Sequence, residues 1–233
     1  MRPGNYHHAL PEYAQARKAI WTAVNPHTGR RRIDEAFPLP LRSNTNEQEM
    51  FIRFKNGSTW QVIGSDNYDR LVGSSIAGIT FSEWALANPA AWAYISPIVA
   101  ENKGWAVFIT TPRGRNHAKI MYDMAKGDPA HWHAEVSTIA DTRIIPAEVV
   151  EEMRREYIAM FGLDAGESLV QQELYCSFEA AILGSYYGKE MVVTEADGRI
   201  AVVPCWPGCP VHTAWDLGSS RGGDTMTIWF WQV

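Results

Sequence analysis

What most limits the folding of this chain is a series of short apolar runs separated by stretches of helical period. Residues 76–81 form an apolar run that predicts a central strand buried on both faces. Residues 84–99 carry a helical pattern interrupted by Pro89 and Pro97, residues 105–109 read as a second buried strand, and residues 116–125 as a second helix. Residues 132–136 complete the series as another strand. Strand, helix, strand, helix, strand at this spacing predicts an α/β fold with a parallel sheet and helices on its faces.

The flanking segments are read in the same way. A short strand near Tyr6 leads into a helix opened by Pro11, with Tyr13, Ala16, Arg17, Ile20 and Trp21 at spacings of three and four, that stops before Asn25-Pro26. Residues 27–47 are polar and contain Pro and Gly, which predicts a surface loop. A hairpin is expected from residues 50–54 and 59–63 around Asn56-Gly57. Helices are predicted over 146–161, begun by proline and stopped by Gly162, and over roughly 165–175. The character then changes. Residues 176–210 read as a linker carrying a hairpin, 191–194 against 200–203 around Asp197-Gly198, and residues 211–216 and 226–232 read as two strands joined by a loop over 218–225. This gives expected divisions of 1–175, 176–210 and 211–233. A two-stranded ribbon is marginal by itself, and a chain ending there leaves Trp229, Phe230 and Trp231 without partners.

Composition narrows the function classes. A chain of 233 residues with 46% hydrophobic content can bury a substantial core. It has no apolar run near the roughly 18 residues of a membrane span and no apolar N-terminal segment, so a cytosolic location is expected. Three cysteines, Cys176, Cys205 and Cys209, are too few for a disulfide framework. Cys205, Cys209 and His212 invite comparison with a zinc site, but prolines stiffen the segment and no fourth ligand is evident. The net charge of -5 means that any nucleic-acid contact must come from local patches, for which Arg30 to Arg32 and Arg113 with Arg115 are candidates. Ten tryptophans could form a stacking surface for single strands, yet most lie in apolar patterns where core packing is the default.

Three constellations carry chemistry. Ile79-Thr80-Phe81-Ser82-Glu83 is a strand ending in a hydroxyl and a carboxylate, and ligands of open α/β sheets bind beyond the carboxyl ends of strands. A nucleotide hydrolase needs a carboxylate there to orient and deprotonate water, beside an oxygen that holds Mg²⁺; the plainer reading is a helix-terminal charge. One strand onward, Thr110-Thr111-Pro112-Arg113-Gly114-Arg115-Asn116 presents hydroxyls and cations that could sense a γ-phosphate, or else forms a strand-to-helix turn capped by Asn116. Third, Asp216 in Trp215-Asp216-Leu217-Gly218, with Asp224 beyond it, sits where two-metal nucleases begin their site, or caps a turn.

Taken in order, residues 8–16 (HALPEYAQA), 81–85 (FSEWA), 110–117 (TTPRGRNH), 177–184 (SFEAAILG) and 215–218 (WDLG) resemble the large terminase subunit of tailed bacteriophages over nearly the whole chain. The resemblance implies a P-loop NTPase-like ATPase domain of the additional-strand type, followed by the first strands of a ribonuclease-H-like nuclease domain. Glu83 then matches the Walker B catalytic glutamate, and Ser82 a position where many members carry aspartate. Thr110, Thr111 and Pro112 match the coupling motif, with Arg113 beside it. Asp216 matches the first nuclease metal ligand, and Asp224 lies in the loop that follows. The implied cofactors are ATP with Mg²⁺, and Mg²⁺ or Mn²⁺ for the nuclease. The implied partners are double-stranded DNA, the portal protein, the small terminase subunit and further copies of the motor subunit, in the host cytoplasm and transiently at the procapsid portal. No GxxxxGK[ST] phosphate loop occurs in the sequence, and the family places it upstream of residues 6–10. The chain alone is therefore expected to be inactive as ATPase and as nuclease. Alternatives are a helicase-like P-loop relative or a non-catalytic prophage remnant.

Overall fold

The structure, a computed structural model, describes residues 2–71, 73–179, 188–217 and 226–233. It falls into two compact units, residues 1–185 and 186–233.

The first unit is built on a six-stranded, mainly parallel sheet. In chain order the strands are β1 (Asn5–Leu10), β2 (Arg42–Asn46), β3 (Phe51–Phe54), β4 (Thr59–Gly64), β5 (Ile76–Ser82) and β6 (Trp105–Ile109), arranged in space as β2-β3-β4-β1-β5-β6. β1 pairs in parallel with β4 and β5, and β5 with β6. The Asn56-Gly57 hairpin forms as its sequence predicts, with β3 antiparallel to β4 and Gly57 at positive φ.

Helices follow from local signals. α1 (Tyr13–Ala16) runs into a π-turn over Arg17–Trp21 that delivers Trp21 to full burial. α2 (Arg32–Ala36) and β2 occupy the stretch read as a surface loop. β2, with the sequence Arg-Ser-Asn-Thr-Asn, is a polar edge strand whose pairing comes from β3, so no apolar alternation announces it. The predicted helix over 84–99 breaks in two. A 3₁₀ turn, Trp84–Leu86, precedes α3 (Ala90–Glu101), which starts after Pro89 and accommodates Pro97. α4 (His117–Gly127) begins where Asn116 caps it, accepting from the Ala118 amide at 3.0 Å. α5 (Ile139–Thr142) carries a Thr138–Asp141 capping box. α6 (Ala147–Phe161) and α7 (Leu163–Glu173) form a helical hairpin turned at Gly162. A Cβ on Gly166 would stand 2.6 Å from the Ile158 backbone, so the close approach of α6 and α7 requires a glycine.

Three apolar clusters hold this unit. Ile76, Ile79, Phe81, Trp84, Ile95 and Val99 pack β5 against α3, while Leu10, Trp21, Ile33, Met50, Ile52 and Val62 form a second core around β1, β3 and β4. Val150, Val170 and Leu174 seal α6 on α7. Two sequence expectations fail here. β6 is an edge strand with alternate residues exposed, because no further strand among the described residues lies beyond it. Residues 132–136, although alternating in pattern, form no strand, for want of a neighbour at ladder distance.

In the second unit, α8 (Gly188–Ala196) replaces the hairpin expected around Asp197-Gly198. Gly198 adopts positive φ and ends the helix, with Arg199 N–H donating to Thr194 O at 2.9 Å and Gly198 N–H to Glu195 O at 2.9 Å. An Asp-Gly pair suits a helix C-terminus as well as a tight hairpin, and here the former wins. β7 (His212–Asp216) pairs antiparallel with β8 (Thr227–Trp231), setting Asp216 opposite Thr227. The loop over 218–225 lies outside the described residues. Trp229, Phe230 and Trp231 are exposed. Among the described residues no helix is long and apolar enough to cross a membrane.

Candidate active site at the tips of β5 and β6

The register of the parallel β5–β6 pair sets Ser82 opposite Ile109. The next residues, Glu83 and Thr110, therefore leave neighbouring strand tips at the carboxyl edge of the sheet, where ligands of open α/β sheets bind. Glu83 adopts left-handed backbone angles, φ 56° and ψ 42°. That conformation is unfavourable for a residue with a Cβ, although among the described residues Met50, Lys103, Arg143 and Cys176 also adopt positive φ.

The turn containing Glu83 is held by the segment that follows β6. Ala85 N–H donates to Thr110 Oγ1 at 2.9 Å, and Thr110 Oγ1 donates in turn to Thr111 O at 2.9 Å. Asn116 Nδ2 donates to Ala85 O at 2.8 Å, and His117 Nε2 donates to Trp84 O at 2.7 Å. Trp84 is buried, with its ring 5.1 Å from Phe81, 5.0 Å from Phe108 and 5.0 Å from His117. The half-buried Glu83 is thus fixed at its backbone, while its carboxylate has no hydrogen-bond or ion-pair partner among the described residues. A carboxylate held this way is available to a ligand.

Ser82 is tied from the other side. His8 Nε2 lies 2.9 Å from Ser82 Oγ, reaching across from β1, and burial pushes the His8 imidazole below its ordinary pKa. The motif that begins at His8 gives it no role in the site; only the β1–β5 register, which places it beside Thr80, brings it to Ser82. Together Ser82, Glu83 and Thr110 offer two hydroxyls and a carboxylate, with Thr111 half-buried beside them.

The arginines expected near this site are engaged. Arg113 is ion-paired with Glu173 at the end of α7, and Arg115 Nε donates to Glu179 at 2.7 Å. Arg31 pairs with Glu47 at 3.0 Å and lies over the Trp21 ring, which removes the middle cation of the first basic cluster from any free patch. In the second unit Asp216 is exposed at the end of β7, and Asp224 lies outside the described residues. Cys205, Cys209 and His212 do not converge: no group of three His, Cys, Asp or Glu side chains placed to hold a metal occurs among the described residues.

A mainly parallel α/β sheet with a carboxylate on one strand tip and a threonine on the next is an open α/β fold with a ligand-binding edge, and solved structures that share this fold are phage large terminases. The chain matches the large terminase of a thermophilic bacteriophage over its whole length, with a TM-score of 0.56 and 17% identity, and covers 52% of that chain. It matches the same terminase in complex with ADP at a TM-score of 0.53 and 18% identity, again over its whole length and 53% of the other chain. The complex with ATP-γ-S gives a TM-score of 0.54 and 16% identity over 76% of this chain and 40% of that one. The chain thus spans about half the length of that phage terminase or less. No family model matches the sequence, and no curated protein does.

Proposed function

We propose that this chain is the part of a phage DNA-packaging motor that carries the ATPase carboxylate, with Glu83 as the Walker B glutamate of a P-loop NTPase-like domain. The observation that carries the reading is the placement of Glu83, strained and without a side-chain partner among the described residues, beside Thr110 on the neighbouring parallel strand tip. Glu83 would orient and deprotonate the attacking water. Thr110 and Thr111, bonded through Ala85 to the Glu83 turn, would transmit loss of the γ-phosphate. Arg113 would carry that change to α7 through Glu173.

Magnesium takes most of its ligands from phosphates and water, with one or two from protein, so Ser82 Oγ beside the Glu83 carboxylate fits as a minor share of such a set. When bound, the ion would neutralise phosphate charge. Ser82 is a weaker ligand than aspartate, and His8 keeps its hydroxyl oriented. The phosphate cradle has no counterpart in this sequence, so the 233 residues alone should not hydrolyse ATP.

The second unit is read as the opening of a ribonuclease-H-like nuclease, with Asp216 its first metal ligand and Asp224 a weaker candidate, and with divisions of the chain at 1–175, 176–210 and 211–233. Among the described residues no group of three His, Cys, Asp or Glu side chains is placed to hold a metal around Asp216. In the complete protein the two activities would drive double-stranded DNA through the portal and cut it. The small terminase subunit and further motor subunits would be its partners, in the host cytoplasm and at the procapsid.

The test is steady-state ATP hydrolysis by a longer protein that joins an upstream GxxxxGK[ST] segment to this sequence. Glu83→Gln should lower kcat by about 10²- to 10⁴-fold while nucleotide still binds. Turnover indifferent to Glu83→Gln removes the assignment. Glu83-dependent turnover by the 233 residues alone, or metal-dependent DNA cleavage abolished by Asp216→Ala, would show the chain more complete than proposed.

A further inference from the structure

Asp128 closes α4, and Pro129 after it prevents the helix from continuing. The Asp128 carbonyl accepts from the His131 and Trp132 amides at 3.2 and 3.0 Å, a turn that carries His131 back to Asp128. Burial then alternates as it does along an extended chain. Trp132 and Ala134 are half-buried, whereas His131, His133 and Glu135 are exposed. Trp132 anchors the segment, its ring 6.2 Å from that of Phe108 on β6, so the two histidines and the glutamate share the solvent side.

Histidines two apart on one side of an extended chain have Cα atoms about 6.6 Å apart. Their rings can converge on one cation, whose bonds to imidazole nitrogen are about 2.0–2.1 Å long. Each ring already has a carboxylate. His131 Nδ1 lies 3.0 Å from both carboxylate oxygens of Asp128, and His133 Nε2 lies 3.4 Å from Glu135 Oε2. A carboxylate on one ring nitrogen fixes the tautomer and leaves the other, here His131 Nε2 and His133 Nδ1, to donate its lone pair; metal-bound histidines are commonly supported in this way. The histidine side chains are 78% and 87% exposed, where a carboxylate contact adds little to folding.

We propose that His131 and His133 form a two-imidazole chelate for Zn²⁺, oriented by Asp128 and Glu135. No three His, Cys, Asp or Glu groups are placed around one point among the described residues, so the chelate is open, with its other positions left to water or an external donor. The bound ion would tie together side chains of a segment that has no ladder partner among the described residues. Imidazole donors select zinc over magnesium, and no residue of the strand-tip site takes part. The chelate therefore stands or falls separately from the reading of Glu83.

Calorimetric titration of the 233-residue chain with zinc chloride, in a buffer that does not chelate, tests this. The background is Cys205→Ser with Cys209→Ser, which removes the thiols that would compete. A single zinc should bind per chain, undisturbed by millimolar Mg²⁺. His131→Gln and His133→Gln should each weaken binding by about tenfold or more, and Asp128→Asn by about tenfold, with unchanged circular dichroism. Glu135→His in the His131→Gln background rebuilds a histidine pair at a spacing of two and should restore binding. Should a variant misfold, the parent decides: its His131 and His133 ring resonances should shift first and together as zinc is added. The proposal is overturned by no saturable binding at millimolar zinc, by binding that survives loss of both histidines, or by other histidine resonances shifting first. Equal loss with and without Glu135→His would leave a lone histidine contact and overturn the chelate as well.

Discussion

The Ala85 amide donates to Thr110 Oγ1 at 2.9 Å, so the turn that presents Glu83 is fastened to the tip of the adjacent strand by one side-chain hydroxyl. Thr110→Val keeps the shape and removes the acceptor, leaving a part-buried N–H unsatisfied. The expected loss is about 1–2 kcal/mol, read as a lower urea midpoint at unchanged slope. Thr110→Ser should recover most of it. Equal stability of the valine and serine variants would show that this bond contributes nothing.

The left-handed backbone at Glu83 inverts a familiar ranking. Glycine in ordered structure is usually less favourable than alanine by roughly 0.5–1 kcal/mol. At φ 56°, however, alanine retains the steric penalty and glycine does not. Glu83→Gly should therefore be more stable than Glu83→Ala by about 1 kcal/mol, measured by thermal or urea unfolding. An alanine variant at least as stable as the glycine variant would mean that the turn relaxes and that position 83 stores no strain.

Much of the fold was legible because its signals are local. Residues 76–81 and 105–109 are apolar runs bounded by polar turns, Asn56-Gly57 fixes a hairpin, and Asn116 caps α4 as predicted. The adjacency of Glu83 and Thr110 followed from the strand–helix–strand order alone. What was not legible depends on partners distant in sequence. β2 is polar and owes its existence to β3; residues 132–136 have the right alternation but no neighbour; Asp197-Gly198 ends a helix because residues 188–196 are helical, a choice its dipeptide cannot reveal. At the site, the backbone strain at Glu83 and the His8–Ser82 contact arise only once β1, β5 and β6 lie side by side.

His7 is 8% exposed, and neither ring nitrogen has a hydrogen-bond partner among the described residues. Burial pushes its pKa from 6.5 down to about 4, so the folded protein holds a neutral imidazole. Between those values the unfolded chain binds a proton that the folded one does not. Stability is thus complete above pH 6.5 and falls as pH drops toward 4, by about 1.4 kcal/mol per unit and roughly 3 kcal/mol in all. His8, shifted the same way, adds to the slope. The lowered carboxylates, Glu35, Glu47 and Asp141, lose their contribution only at more acid pH, so the range from about pH 5 to 6.5 isolates the histidines. His7→Leu should flatten most of that dependence and raise stability at about pH 5. Parallel pH profiles of variant and parent would contradict the assignment.

Arg113 and Glu173 join the loop after β6 to the end of α7, with side chains about one-third exposed, 34% and 31%. Gln172 Nε2 also donates to Glu173 at 3.0 Å, which orients the carboxylate for the arginine. A pair so placed is partly screened, and a double-mutant cycle with Arg113→Ala and Glu173→Ala should return a coupling of up to about 1 kcal/mol, reduced in roughly 1 M salt. Either single change should also speed hydrogen exchange over residues 110–116 without altering β5, since the loop loses a tether and the sheet does not. If the cycle gives no coupling and exchange in that loop is unchanged, the pair is a surface contact, and movement at the strand tip has no route through it to α7.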